Sequence, residues 1–172
     1  MTSRSPASAS PLPNNAETER QRFGAWAQEL RAVHGRLRAA LRIVHSSAAE
    51  SGSDAGTAAA RDLLLHCHGF CVALDGHHRA EDRSLFPAIE AARPELAPVI
   101  TALQQDHSMI AHLLAGLRAA VDAEAAPDRI DGHLEGIAAI MENHFRYEER
   151  ELLAVLDALG LDLDPATALG PF

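Results

Sequence analysis

Scarcity frames the reading of this 172-residue chain. Only two cysteines occur, Cys67 and Cys71, so no disulfide framework supports the fold, and their placement along a helix suits a bridge poorly. Lys and Arg number 15 against 24 Asp and Glu, a formal net charge of -9 with a pI near 5.5. That balance leaves no basic stripe to neutralise phosphates, which excludes nucleic acid as the obvious partner. No apolar run approaches the ~20 residues that a membrane span needs, and the first residues have neither a basic n-region nor an apolar h-region. A cytoplasmic protein without a membrane partner is therefore expected. Aromatic residues make up only 4%, yet there are 10 histidines. At 47% hydrophobic and 23% charged, the chain is long enough to bury one core of ordinary size, so the histidine excess asks for a chemical reason.

Residues 1–16 hold prolines and serines with no apolar period and read as a disordered N-terminal tail. From about Glu17 to Ser46, Phe23, Trp26, Leu30, His34, Leu37, Leu41 and Val44 recur at steps of three and four, one face of a first helix. After a Ser- and Gly-containing loop at 46–56, a second periodic segment runs from about Thr57 to Ala91 with Leu63, Phe70, Leu74, His77, Glu81 and Leu85 aligned. A kink or boundary is expected at Phe86-Pro87, where proline removes a backbone donor. A third helix starts near Pro94 or Glu95 and presents Leu96, Ile100, Leu103, His107, Ile110, Leu114, Leu117 and Val121. The turn Ala126-Pro127-Asp128 leads into a fourth, with Ile130, Leu134, Ile137, Met141, His144, Glu148, Leu152 and Val155 inward and Gly160 as C-cap. Residues 161–172, with two prolines, Gly170 and no recognisable cap, read as a C-terminal tail draped over the bundle. Four amphipathic helices without strand signal predict an all-α, up-down-up-down four-helix bundle over residues 17–160.

Each helix carries a histidine on its apolar stripe: His34, His77, His107 and His144. Two are followed four residues later by a carboxylate, His77-x-x-x-Glu81 and His144-x-x-x-Glu148, a spacing that puts imidazole and carboxylate on one face. A lone histidine on such a stripe is ordinarily a hydrogen-bonded core residue. Four of them, with two buried carboxylates that would repel each other, need a common compensation. A pair of metal ions satisfies all six groups at once, and this nitrogen and oxygen donor mixture suits iron, manganese or zinc.

The ordered set His34, His77-x-x-x-Glu81, Asp106-His107 and His144-x-x-x-Glu148, with Leu85-Phe86-Pro87 after the first pair and Tyr147-Glu148-Glu149 around the second, resembles the hemerythrin-like cation-binding domain family. The resemblance covers about Glu17 to Leu159. It implies a hemerythrin-like four-helix bundle holding two non-haem iron ions, oxo- or hydroxo-bridged. By the same resemblance His34, His77, Glu81, His107, His144 and Glu148 would be the metal ligands, with Glu81 and Glu148 as bridging carboxylates. Oxygen-carrying hemerythrins have H-x-x-x-H on the third helix and H-x-x-x-x-D on the fourth. Here the residue four after His107 is Ala111, and His112 lies about 140° around the helix. One histidine fewer opens a coordination position, which moves the expectation from reversible dioxygen carriage toward peroxide, nitric oxide or redox chemistry. His78 and Tyr147 are the candidates for that vacancy, each about 100° from its ligating neighbour, which places both at the surface or outside the ligand shell.

In antiparallel neighbours His45 stands level with His66, and Arg118 with His133, about 16 Å along the bundle from the metal level. These four make either a second polar layer or, near both interhelix loops, a solvated bundle end. Cys67 and Cys71 beside His66 and His68 read as buried, inert thiols and not a zinc cluster, since structural zinc sites draw ligands from turns. Asp106 or Glu149 is placed to orient a ligating imidazole. The expected function is binding or reduction of a small oxidant, namely dioxygen, hydrogen peroxide or nitric oxide, with catalase-like or di-iron oxidase turnover as the enzymatic form. The alternative is an iron- or oxygen-sensing protein acting through a partner without turnover, and a monomer or homodimer serves either.

Overall fold

The computed structural model describes residues 15–51, 57–159, 161 and 163–170, with side chains within 26–48, 65–126, 128–159, 161 and 163–170. Four long helices, α1 (Asn15–Ser51), α2 (Thr57–Ala80), α4 (Ala97–Asp122) and α5 (Pro127–Ala158), form the bundle. Two short ones, α3 (Phe86–Ala92) and α6 (Pro165–Leu169), complete the set, and no strand occurs among the described residues. α1 packs on α2 and α5, and α4 closes the ring against the same two, the up-down-up-down arrangement that the periodicity predicts. Leu30, Leu37, Leu74, Leu103, Leu114, Leu134 and Ile137 from those stripes are fully buried, each worth about 1.5–3 kcal/mol of burial. Trp26 joins this core. The side chains of Phe23 and Leu63, and Gly160 with its expected cap, lie outside the described residues.

Three local features correct or sharpen the sequence reading. The first helix continues past Ser46 to Ser51 instead of yielding to a loop. Ser46 Oγ donates to the Arg42 carbonyl at 3.0 Å, Ser47 Oγ lies 2.9 Å from His66 Nδ1, and Ala48 is buried, so these serines find partners without leaving the helix. The kink or boundary expected at Phe86-Pro87 is present as an element boundary, with its irregular turn on the N-terminal side. That turn is a π-helical one at Glu81–Leu85, in which the Phe86 N–H reaches back to the Glu81 carbonyl, and Pro87 then sits in the first turn of α3, where its missing donor costs nothing. The chain beyond α5 does hold a cap: Asp164 accepts from the Thr167 N–H at 2.9 Å and starts α6. α6 lies against α1, α2 and the π-turn, with Ala168 and Leu169 buried.

Candidate metal centre

α1 supplies His34, α2 supplies His77 and His78, the π-turn Glu81, α4 His107, and α5 His144 and Glu148. All seven side chains are buried at one level of the bundle interior. The ligand atoms of His34, His77, Glu81 and Glu148 lie within 4.8 Å of one another, and so do those of His78, His107 and His144. Among the described residues these two sets are the groupings with metal-binding spacing. Glu81 joins them: its Oε1 is 3.3 Å from His77 Nε2 and its Oε2 3.5 Å from His107 Nε2. Glu148 Oε2 lies 3.1 Å from His34 Nε2 and 3.9 Å from His144 Nε2, and the Nε2 atoms of His107 and His144 are 3.1 Å apart.

Three outward nitrogens, those of His34, His77 and His107, are held from behind. His34 Nδ1 is 2.8 Å from Glu149 Oε1, which also accepts from Arg38 Nη1 at 3.2 Å. His107 Nδ1 is 2.9 Å from Asp82 Oδ1, and His77 Nδ1 donates to the Leu169 carbonyl at 2.9 Å. His144 Nδ1 faces Asp106 Oδ2 at 3.5 Å. Fixing Nδ1–H on an acceptor leaves the Nε2 lone pair free to point inward, the tautomer a metal ligand requires. Ring packing fixes the planes: His34 stacks on Phe145 at 3.9 Å between centroids, and His78 stacks on His107 at 4.1 Å.

Burial strips water from this cluster, and its charges respond. His77 is lowered to about 3 by burial and by the neighbouring His34, and His144 to about 4, chiefly by burial. His78 is also pushed down by burial and by His107. Burial works against a charge on His34 too, but Glu148 and Glu149 outweigh it and raise that imidazole above its ordinary value. Burial and the facing Glu148 carboxylate drive Glu81 well above the carboxylate range, whereas His34 holds Glu148 at about 2 against its own burial. The protein alone thus favours a proton on Glu81 and the neutral form of His77, His78 and His144. His34 Nε2, His78 Nε2 and both oxygens of Glu81 and of Glu148 nevertheless make no aligned hydrogen bond. So many orphaned acceptors in one buried space are costly, and divalent or trivalent cations are partners that every one of them can donate to. The donor set, imidazole with carboxylate and no thiolate, fits iron, manganese or zinc.

All six residues expected from the sequence, His34, His77, Glu81, His107, His144 and Glu148, meet here. His78 was expected at the surface or outside the ligand shell; it is not at the surface, since its ring is buried beside His107 and His144 and has metal-binding spacing to both. Its signal was present: Leu74, His78, Glu81 and Leu85 keep helical spacing as well as Leu74, His77, Glu81 and Leu85 do. Tyr147 is half-buried with the Arg150 guanidinium 4.9 Å from its ring, and His112 is exposed; neither belongs to a donor set. The anchoring roles of Asp82 and of the Leu169 carbonyl gave no sequence signal. His45, His66, Arg118 and His133 are each half-buried and do not converge: His66 turns to Ser47, Arg118 Nη2 donates to the Cys71 carbonyl at 3.3 Å, and the His133 ring lies against Gly116. Cys67 and Cys71 are buried free thiols, with burial pushing Cys67 up to about 12.

No characterised protein and no solved structure shows a significant match to the chain. A family model described as the hemerythrin HHE cation binding domain matches residues 27–156.

Proposed function

Because the chain belongs to the hemerythrin HHE cation-binding family, we propose that it is a non-haem di-iron protein that binds or reduces a small oxidant: dioxygen, hydrogen peroxide or nitric oxide. His34, His77, Glu81 and Glu148 would hold one ion and His78, His107 and His144 the other, with Glu81 facing both sets. The observation that carries this reading is the shared orientation of the cluster, in which Nε2 atoms and carboxylate oxygens face one another while Nδ1 atoms are tied outward. Bound iron would supply redox equivalents and Lewis acidity toward the oxidant. The chain's own part is to hold the imidazoles in one tautomer, to exclude bulk water with Phe86, Phe145 and the leucine layers, and to keep acidic groups near the cage. Asp82, half-buried on the outer edge of His107, is placed to hold or pass a proton between that imidazole and solvent.

The test is metal analysis of the purified protein together with its ultraviolet-visible spectrum. Two irons per chain and an oxo-bridged di-ferric band are expected, both lost in His77→Ala. A metal-free chain whose His77→Ala variant is indistinguishable from it would overturn the reading. Oxygen evolution from hydrogen peroxide then separates turnover from binding. The sensing alternative has one observation in its favour, the direct hydrogen bond from His77 to α6, through which occupancy is connected to a surface element. Stoichiometric oxidant binding without turnover, coupled to altered protease cleavage at α6, would select it.

A further inference from the structure

The donor cage is closed everywhere but one side. His34, His77, Glu81, His144 and Glu148 have no accessible surface, whereas His78 and His107 each retain 4%. That sliver opens into a cleft of about 190 Å³ between α2 and α4, which reaches Asp75, Arg79, Asp82 and Ala111. Ala111 stands one helical turn beyond His107 and is exposed, so a methyl group is all that this position of α4 puts into the opening. A water takes up about 30 Å³ in the liquid, so the cleft has room for a handful of small molecules but falls short of the ~300 Å³ where drug-sized ligand pockets begin. Its charged groups are two aspartates and one arginine, and Arg79 Nη2 is already paired with Asp75 Oδ2 at 3.2 Å. That leaves the lining a single formal negative charge, which the charge of bound cations would outweigh, so size is the selection that the cleft imposes.

We propose that this cleft is the access route of a small oxidant to the His78 and His107 side of the cage, and that Ala111 sets its width. The inference rests on the di-iron reading above and deepens it by assigning the face by which the oxidant arrives.

The experiment follows nitric oxide association with the iron-loaded protein by stopped-flow absorbance, with iron content, equilibrium spectrum and thermal midpoint measured alongside. Ala111→Trp is expected to slow association about tenfold, since docking through a narrower opening lowers the on-rate, without changing the two-iron content or the final spectrum. Ala111→Cys supplies a second route that does not depend on folding around a bulky side chain. The loaded variant is modified with methanethiosulfonate reagents of increasing size, while Cys67 and Cys71 stay protected by burial. Association should slow stepwise with adduct size. Rates independent of the side chain or adduct at position 111, with two irons bound, would overturn the access route alone. A wild-type protein that binds no iron would instead overturn the di-iron reading.

Discussion

Gly170→Ala tests whether the C-terminal segment holds the centre in shape. Gly170 has φ 87° and ψ 162°, a region that is essentially glycine-only and costs a side-chain-bearing residue about 1–3 kcal/mol. An added Cβ would also meet the Gly76 carbonyl oxygen and the His77 Cα at 3.2 Å each, backbone atoms of a packed helix that have little freedom to yield. The chain has two escapes. It keeps the contact and bears the strain, or it lifts α6, exposing Leu169 at about 1.5–3 kcal/mol and withdrawing the carbonyl that accepts from His77 Nδ1. The second leaves a buried N–H unpaired or lets the proton migrate to Nε2, the nitrogen that faces Glu81 Oε1. Either way His77 loses its fixed tautomer, and outer anchors of metal-bound histidines are typically worth about 10–100-fold in affinity. Competitive chelator titration with iron(II) or cobalt(II) should show that loss in Gly170→Ala with little change in far-ultraviolet circular dichroism. Ala166→Ser, exposed on the same short helix, should behave as wild type. Wild-type affinity in a Gly170→Ala protein whose α6 has become more open to protease cleavage would refute the anchoring role of α6.

Three further outcomes are expected. His78→Ala should weaken binding of one metal equivalent by about tenfold or more and spare the other, whereas His112→Ala should be silent in the same cobalt(II) titration; equal affinities in wild type and His78→Ala would place His78 outside the ligand set. In chelator-treated protein, His77, His78 and His144 are depressed, so the stability they contribute is present above the unfolded imidazole value of 6.5 and lost as pH falls toward about 4 for His144 and about 3 for His77. Glu81, shifted in the opposite sense, offsets part of this, so urea midpoints should still fall as pH drops from 6.5 to 5, and a flat profile over that range would contradict it. With Cys67 raised to about 12 and Cys71 raised by burial, neither thiol should react with a disulfide reagent at pH 8 until denaturant is added, and above pH 9 stability should fall by about 1.4 kcal/mol per unit as the unfolded Cys67 ionises.

The bundle was legible because each long helix writes its buried face as a repeated spacing; His34 and His107 stand on those stripes, and H-x-x-x-E confines His77 with Glu81 and His144 with Glu148 to one face each. His78 was passed over on the ground that adjacent residues point 100° apart. A core-facing stripe is itself at least that wide, so α2 buries both imidazoles. The π-turn was visible only as the break expected at Phe86-Pro87; that a wider turn would form it depends on packing of Leu85 and Phe86 that one helix cannot announce. α6 has five residues, too few for a period, and acts on His77 through a main-chain carbonyl that no residue type encodes. Asp82 and His107 are 25 residues apart on separate elements, so their contact follows from the tertiary fold alone.

The two donor sets are chemically unequal, and that inequality agrees with the location of the opening. One set has both carboxylates; its His34 is backed by Glu149, itself tied to Arg38, and its His77 by a neutral carbonyl. The other has three imidazoles, with Asp82 behind His107 and Asp106 3.5 Å from His144, and it is faced by Glu81 alone, whose Oε2 is 3.5 Å from His107 Nε2. Carboxylates neutralise more of a cation's charge than imidazoles do, so the first set should hold its ion more tightly and the second should leave its ion more electrophilic. A small oxidant is best received by the ion with the weaker donor field, and the cleft ends at His78 and His107, two of that set's three imidazoles. Ala111 then bears on both aspects, since a residue that could ligate at that position would add a donor and fill the opening at once.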